Sequence, residues 1–387
     1  VFEIVGGQVN LSRIRDVAID DLLRRDPVQL DEEAIDGVVR NRAVLVTGAG
    51  GSIGSEICRQ VARFSPAHLI LVEQAENPLF HIERELRAAH ADLKLTDCIA
   101  DICDAARVDS ILAMHRPNVV FHAAAHKHVP LMEGNPGEAV KNNVFGTRVL
   151  ADAADAHGVR EFVMISSDKA VNPTSVMGAT KRIAEIYIQS LSQRSKTCFI
   201  AVRFGNVLGS AGSVVPIFQE QIGRGGPITI THPEMTRYFM TIPEATQLVL
   251  EAAALGRGGE IFILDMGEPV KVVDLAKDLL ALSGLREGED VEIVFTGLRP
   301  GEKLFEELST DEEQAERTRH PKVFTGRIKP HDMEHVEAEF VRLREAVAGA
   351  DEACIRKSLT ALVPEYGVGH ASPTGSRREA TSVVAVS

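Results

Sequence analysis

No stretch of the 387 residues approaches the ~18 consecutive apolar residues that a membrane-spanning helix needs, so nothing in this chain is expected to cross a bilayer. Basic residues are in deficit: 42 Lys+Arg stand against 55 Asp+Glu, a formal charge of −13. Binding nucleic acid through its phosphates requires a basic surface, so that partner class is disfavoured. An anionic small molecule would have to be held by locally placed arginines. Cysteine is sparse: Cys58, Cys98, Cys103, Cys198 and Cys354 are odd in number and scattered. That usage argues against a disulfide framework and suits a reducing compartment. No initiator Met precedes Val1, and there is no signal-peptide pattern and no internal repeat. The expectation is a soluble fragment of a longer protein. What is present is ordinary for a globular chain, 44% hydrophobic and 25% charged. The length allows two or three domains of ~100–200 residues.

Residues 1–40 are charged and read as a lead-in segment without a core of its own. From Ala43 onward, short apolar runs at 43–47, 68–73, 95–100, 119–123, 162–166 and 198–203 predict buried strands. Helical periods lie between them at 52–64, 78–90, 104–115, 138–157 and 176–194. This alternation predicts an α/β fold, a Rossmann-like doubly wound parallel sheet occupying 41–206. After Asn206 the pattern loosens into Gly- and Pro-rich stretches, with helical periods at 243–255, 271–284 and 301–316. Residues 207–366 read as a smaller C-terminal substrate-binding lobe with some return to the sheet, helix-like over 332–363. The Ser-, Gly- and Ala-rich segment 367–387 reads as a disordered tail.

The first strand runs directly into Gly48-Ala49-Gly50-Gly51-Ser52-Ile53-Gly54 and then a helix. Gly48 permits the tight turn, Gly50 and Gly51 allow close backbone approach to a pyrophosphate, and Gly54 lets the helix pack on the strand. The pyrophosphate then lies at the helix N-terminus. The second strand ends in Glu73, 23 residues beyond Gly50, where a carboxylate bonds the ribose hydroxyls of NAD. NAD is therefore the expected cofactor. Asp101, beside Ile102 at the end of the third strand, reads equally as an adenine contact or a helix N-cap.

The glycine loop, His122-Ala123-Ala124-Ala125 and Asn142-Asn143-Val144-Phe145-Gly146-Thr147 resemble the extended short-chain dehydrogenase/reductases. Downstream lie Ser166-Ser167-Asp168-Lys169-Ala170-Val171-Asn172-Pro173 and Met177-Gly178-Ala179-Thr180-Lys181. Together these resemble the UDP-N-acetylglucosamine 4,6-dehydratases of polysaccharide biosynthesis, over roughly residues 10–366. Most of the superfamily has Tyr-x-x-x-Lys, but here Met177 stands four residues before Lys181. A thioether cannot ionise, so the position marks either a different proton path or a dead site. The long, membrane-anchored members of this branch share the substitution. The resemblance then moves the acid–base work to Ser167, Asp168 and Lys169. Lys169, its pKa lowered by burial and by Lys181 nearby, is the candidate base for the sugar C5 proton. Asp168 is the candidate acid toward the C6 hydroxyl, and Ser167 relays the C4 hydroxyl proton. Lys181 is expected to bind the nicotinamide ribose. Ala123, Ala124, Ala125, Ile102 and Asn143 are further cofactor contacts that the resemblance implies. The bland alternative for Asp168-Lys169 is a solvated ion pair at a strand end.

For the substrate, UDP-N-acetylglucosamine, the resemblance assigns Arg237 and Arg299 to the pyrophosphate, where forked guanidinium groups suit two phosphates. It gives Glu302 the uridine ribose, and places Asn206 and Lys127 near the sugar. A surface salt bridge is the competing reading for either arginine. His122, His126 and His128 resemble a metal cluster only by proximity, and the expectation is a cofactor loop without metal. The family also implies self-association, and an intact protein at the cytoplasmic face of the inner membrane. The competing functions are a nucleotide-sugar 4-epimerase, expected to keep the tyrosine, and a non-catalytic NAD- or nucleotide-sensing module.

Overall fold

The computed structural model describes residues 28, 30–310, 313, 315–326 and 331–366. Most of the lead-in segment and the 367–387 tail lie outside the described residues. The six runs expected as strands form β1 (Ala43–Thr47), β2 (His68–Glu73), β3 (Leu95–Ile99), β4 (Val119–His122), β5 (Glu161–Ile165) and β6 (Cys198–Arg203). They lie side by side in the order β3-β2-β1-β4-β5-β6, all parallel. Ile261–Leu264 continues the sheet in parallel beyond β6. Val323–Gly326 and Glu316–Arg317 close it antiparallel, so the C-terminal region returns to the sheet.

Alternation within the strands explains why they read as continuous apolar runs. Leu45, Val120 and Phe162 enter one helix-covered layer, while Val44, Val46, Phe121 and Val163 enter the other. On β1, β2, β4, β5 and β6 both faces are largely dry, whereas β3, at the sheet's edge, leaves Asp97 and Ile99 exposed. On the first layer, Val176–Ser192 is buried almost all round, because the helices Met333–Ala348 and Glu352–Leu362 pack over it. The strand order reverses between β1 and β4. That reversal opens a crevice at their C-terminal ends, the usual ligand position in such sheets.

A third apolar cluster forms the smaller lobe. It joins the helices Val214–Gly223 and Val272–Leu282 to the parallel pair Ile228–Ile230 and Ile293–Phe295. The helix Ile242–Leu255 lies between these in sequence, yet it packs on the main sheet. The lobe is therefore smaller than residues 207–366.

The end of the lead-in has no core of its own but packs on that of the sheet. Glu32–Val39 is a helix capped by Asp31, whose side chain accepts from Ala34 N at 3.1 Å, and it buries Ile35, Val38 and Val39. The helix expected at 301–316 is absent from the described residues there. Gly301 has φ +78°, and the Lys303 and Leu304 carbonyls accept from the Arg237 guanidinium, at 2.8 and 3.2 Å, instead of from helical amides. The period at 332–363 is two helices. Ala350 at φ 51° breaks it, and Asp351 caps the second helix by accepting from Cys354 N at 3.0 Å. Among the described residues, no helix is long and apolar enough to cross a membrane.

Candidate active site

The loop after β1 is built around missing side chains. Gly48 has φ +65°, and a Cβ there would lie 2.8 Å from Ala124 N. A Cβ on Gly54 would lie 2.0 Å from the Gly48 carbonyl oxygen, so the helix Ser52–Arg63 could not pack on the strand end. Gly50 owes its identity to Pro78, which a Cβ would approach to 2.3 Å, and not only to space for a ligand. The helix itself has no side-chain cap, which leaves its N-terminal amides available to an anion. Glu73 is braced from three sides. Its carboxylate accepts from Gly50 N at 3.2 Å, Gln74 N at 2.9 Å and Ala75 N at 3.1 Å.

Two adjoining hollows run along this edge of the sheet. The smaller, about 150 Å³, is lined by Gly48, Gly51, Glu73, Ile102 and Ala123, Ala124 and Ala125. The larger, about 750 Å³, is lined by Gly51, Ser52, Ile53, Gly54, Lys127, Ser167, Lys169, Met177, Lys181, Asn206, Arg237, Arg299 and Glu302. Gly51, Ala123, Ala125 and His126 belong to both. Gly50, Asp101, Asn143 and Asp168 line neither. Asp101 is not the helix cap: its side chain accepts from Cys103 N at 2.8 Å, and Asp104 caps the following helix. Asn143 lies in a π-turn, Lys141–Gly146, and clamps the 123–128 loop. Its amide accepts from His126 N at 2.8 Å and donates to His126 O at 3.0 Å and Thr180 Oγ1 at 3.1 Å. A π-turn at such a site is a common device for aiming one side chain.

Beyond β5 the chain makes a 3₁₀ turn, Asp168–Ala170, capped by Ser167. Ser167 Oγ donates to Asp168 Oδ1 at 3.0 Å. Lys169 Nζ donates to the same oxygen at 3.0 Å and to Asn206 Oδ1 at 3.2 Å. Asp168 is fully buried, and its Oδ2 has no hydrogen-bond partner among the described residues. Lys181 Nζ donates to Ile165 O at 2.6 Å, one helical turn from the buried thioether of Met177. The two lysines reverse the expected electrostatics. Burial pulls Lys169 down, but the carboxylates of Asp168 and Glu306 outweigh it and its pKa is raised. Lys181 is the depressed amine: burial lowers it to about 8 against the opposing pull of Glu185.

The substrate candidates divide. Arg237 is buried and holds three carbonyls, those of Thr236, Lys303 and Leu304. Arg299 is exposed and pairs with Glu302 at 2.6 Å, so these two candidates hold each other. Lys127 Nζ lies 3.4 Å from Ser210 Oγ, and burial lowers its pKa. The histidines do not converge. His122 is turned into the core between Thr47 Oγ1 at 2.8 Å and Thr147 Oγ1 at 2.9 Å, and burial lowers it to about 3. His128 packs beside Gly212.

Sequence reasoning missed Glu306, whose carboxylate lies 3.5 Å from both Lys169 Nζ and Arg237 Nε. It also missed the buried network of Arg203, Glu185 and Glu313 behind the site. The one signal for the network was Glu185 set among the apolar residues Ile183, Ala184 and Ile186 of the helical run; Glu306 gave none, since a helix was expected there.

Comparison with known proteins places the chain. The model of a family described as "Polysaccharide biosynthesis protein" matches residues 44–328. The capsular polysaccharide biosynthesis protein CapD of Staphylococcus aureus is 54% identical over 84% of this chain and 55% of its own length. The chain thus spans about half the length of that curated relative. The X-ray structure of Pen from Bacillus thuringiensis is 39% identical, covering 74% of this chain and 88% of that one, with a TM-score of 0.69. The UDP-glucose 4-epimerase of Thermus thermophilus, solved in complex with NAD, shares the fold at 22% identity, with a TM-score of 0.59 over 69% of this chain and 90% of that one. With its doubly wound sheet and glycine loop, the chain belongs to the polysaccharide biosynthesis protein family, on the extended short-chain dehydrogenase/reductase fold.

Proposed function

We propose that this chain binds NAD and converts UDP-N-acetylglucosamine to a 4-keto-6-deoxy sugar nucleotide by 4,6-dehydration. The uncapped helix Ser52–Arg63 and the braced Glu73 fit a dinucleotide, with the pyrophosphate at the helix amides and the ribose at the carboxylate. Bound NAD supplies a hydride acceptor for the sugar's C4 and a hydride donor for its C6. The remaining chemistry falls to side chains.

The observation that carries the reading is the contact of Lys169 Nζ with the buried Asp168 at 3.0 Å, beside a methionine where an oxidoreductase would keep a phenol. At rest the proton sits on Lys169, whose ammonium form Asp168 and Glu306 favour. Substrate filling the cleft displaces water and favours neutral partners. Lys169 then gives its proton up to solvent, which leaves a neutral amine to take the C5 proton and return it after the hydride reaches C6. Ser167 passes the C4 hydroxyl proton to Asp168 through its 3.0 Å bond, and the carboxylic acid so formed protonates the leaving C6 hydroxyl. Lys181 orients the nicotinamide ribose. Arg237 and Arg299 take the diphosphate, and Glu302 takes the uridine ribose once Arg299 turns to phosphate. Lys127 and Asn206 flank the sugar.

Incubation with UDP-N-acetylglucosamine followed by mass spectrometry tests this directly. The expected product is lighter by one water. A product of unchanged mass but altered C4 configuration replaces the reading by a 4-epimerase, the activity named for the Thermus neighbour. No product at all leaves a nucleotide-binding module.

Cofactor choice gives a second expected result. The 2′-phosphate of NADP would meet the Glu73 carboxylate, which three backbone amides hold in place. Neither Gln74 nor Ala75 offers a compensating charge. NAD should bind at least about tenfold more tightly, worth ~1.4 kcal/mol. Isolating the protein with mainly NADP bound would refute the assignment.

A further inference from the structure

The segment after Gly301 carries two adjacent acids that go different ways. Glu307 turns outward to Lys303 Nζ at 2.8 Å and Asn172 Nδ2 at 3.1 Å, so both its oxygens are satisfied. Glu306 turns inward and is buried at the wall of the larger hollow. Its Oε1 lies 3.5 Å from Lys169 Nζ and 3.5 Å from Arg237 Nε. Its Oε2 is buried with no hydrogen-bond partner among the described residues. A carboxylate that served only to pin the segment would satisfy both oxygens, as Glu307 does, because a buried unpaired oxygen is costly.

We propose that Glu306 is a positioning residue that holds the Lys169 amine and the Arg237 guanidinium through one shared carboxylate and so controls the proton on Lys169. The inference rests on the dehydratase reading only in taking Lys169 to be the base. Four groups face that amine: Asp168 on its own turn, Asn206 from the short strand Asn206–Val207, Glu306, and Arg237 from Thr236–Arg237. Asp168 and Glu306 favour the ammonium form, and Arg237 opposes it. Removing the Glu306 charge leaves Arg237 acting on Lys169 with one carboxylate fewer to oppose it. Removing the Arg237 charge does the reverse. The two changes therefore act on the same proton with opposite signs, which a mere loosening of the site would not do.

The test is competitive acetylation of the full chain with trace acetic anhydride at pH 8, read by peptide mass spectrometry. Labelling reports the neutral fraction of each amine and needs no turnover. Exposed Lys94 serves as the internal reference. Glu306→Gln is expected to raise Lys169 labelling about tenfold, one pKa unit. Arg237→Met is expected to lower it, and Glu306→Asp to stay near wild type. Unchanged or reduced labelling in Glu306→Gln overturns the proposal. If that variant does not fold, labelling of Arg237→Met that is unchanged or raised overturns it instead. A shifted label with no water loss in the wild-type enzyme would leave the Glu306 assignment standing and remove the dehydratase reading. Water loss with an unshifted label would do the opposite.

Discussion

Lys169→Ala should cut water loss about 10²- to 10⁴-fold, the range expected when a positioned general base is removed. The reasoning is geometric. Lys169 is the amine in the larger hollow that bonds the buried Asp168, at 3.0 Å, and Asn206 Oδ1, at 3.2 Å. Lys181, expected at the nicotinamide ribose, donates to Ile165 O at 2.6 Å and is placed to hold rather than to abstract. Binding should survive, because the groups proposed to hold NAD, Glu73 and the helix amides, lie apart from the amine, and Arg237, proposed for the diphosphate, keeps its three carbonyl partners. The measurement is product mass against time, paired with calorimetric titration of NAD and UDP. A variant that keeps more than about a tenth of wild-type turnover, a barrier change under ~1.4 kcal/mol, would show that another group takes the C5 proton.

Arg203→Met should be the most destabilising single change at the site's back wall. Arg203 is fully buried and makes four charge-assisted bonds: Nε and Nη2 to Glu185 at 2.7 Å each, and Nη1 to the two oxygens of Glu313 at 2.9 and 2.8 Å. Glu185 also accepts from Ser166 Oγ at 2.6 Å and Arg182 at 3.2 Å. Methionine fills much of the volume but strands two carboxylates away from water. Breaking a buried pair in this way costs ~3–5 kcal/mol. Urea unfolding should show the midpoint falling at constant slope. Replacing Glu185 and Glu313 by leucine in the same chain should restore part of the loss, because neither carboxylate is then stranded, while Arg182 gives up its bond to Glu185. A single variant within ~1 kcal/mol of wild type would mean that water reaches the network and screens it.

Much of this protein is local in its sequence and was legible there. Five of the six parallel strands follow from apolar runs rich in Val, Ile, Leu and Phe buried on both faces, and the sixth, β3, is an edge strand with Asp97 exposed. The glycine loop follows from a conformation and a close approach that only glycine tolerates, at Gly48 and Gly54. Glu73 at the end of β2 and Ser167, Asp168 and Lys169 beyond β5 sit at strand ends, where a parallel sheet presents its loops on one edge. These are properties of single segments, and a period or a spacing reports them.

Tertiary structure decided what depends on charges meeting across the chain. Arg203 and Glu313 are 110 positions apart, and nothing in either segment marks the pairing. Glu306 lies in a stretch whose period predicted a helix. Arg237 takes the carbonyls of Lys303 and Leu304, the chain stays unwound, and the carboxylate turns inward to Lys169. The same approach reverses the expected ionisation. Burial depresses both lysines, but two carboxylates reach Lys169 and raise it, whereas Lys181 has only Glu185 to oppose the desolvation and falls to about 8. Sequence specified which residues stand at the sheet's edge. Their protonation was set by the carboxylates and guanidinium that folding brought within a few ångströms, because Coulomb energies in a dry site depend on distance and not on order along the chain.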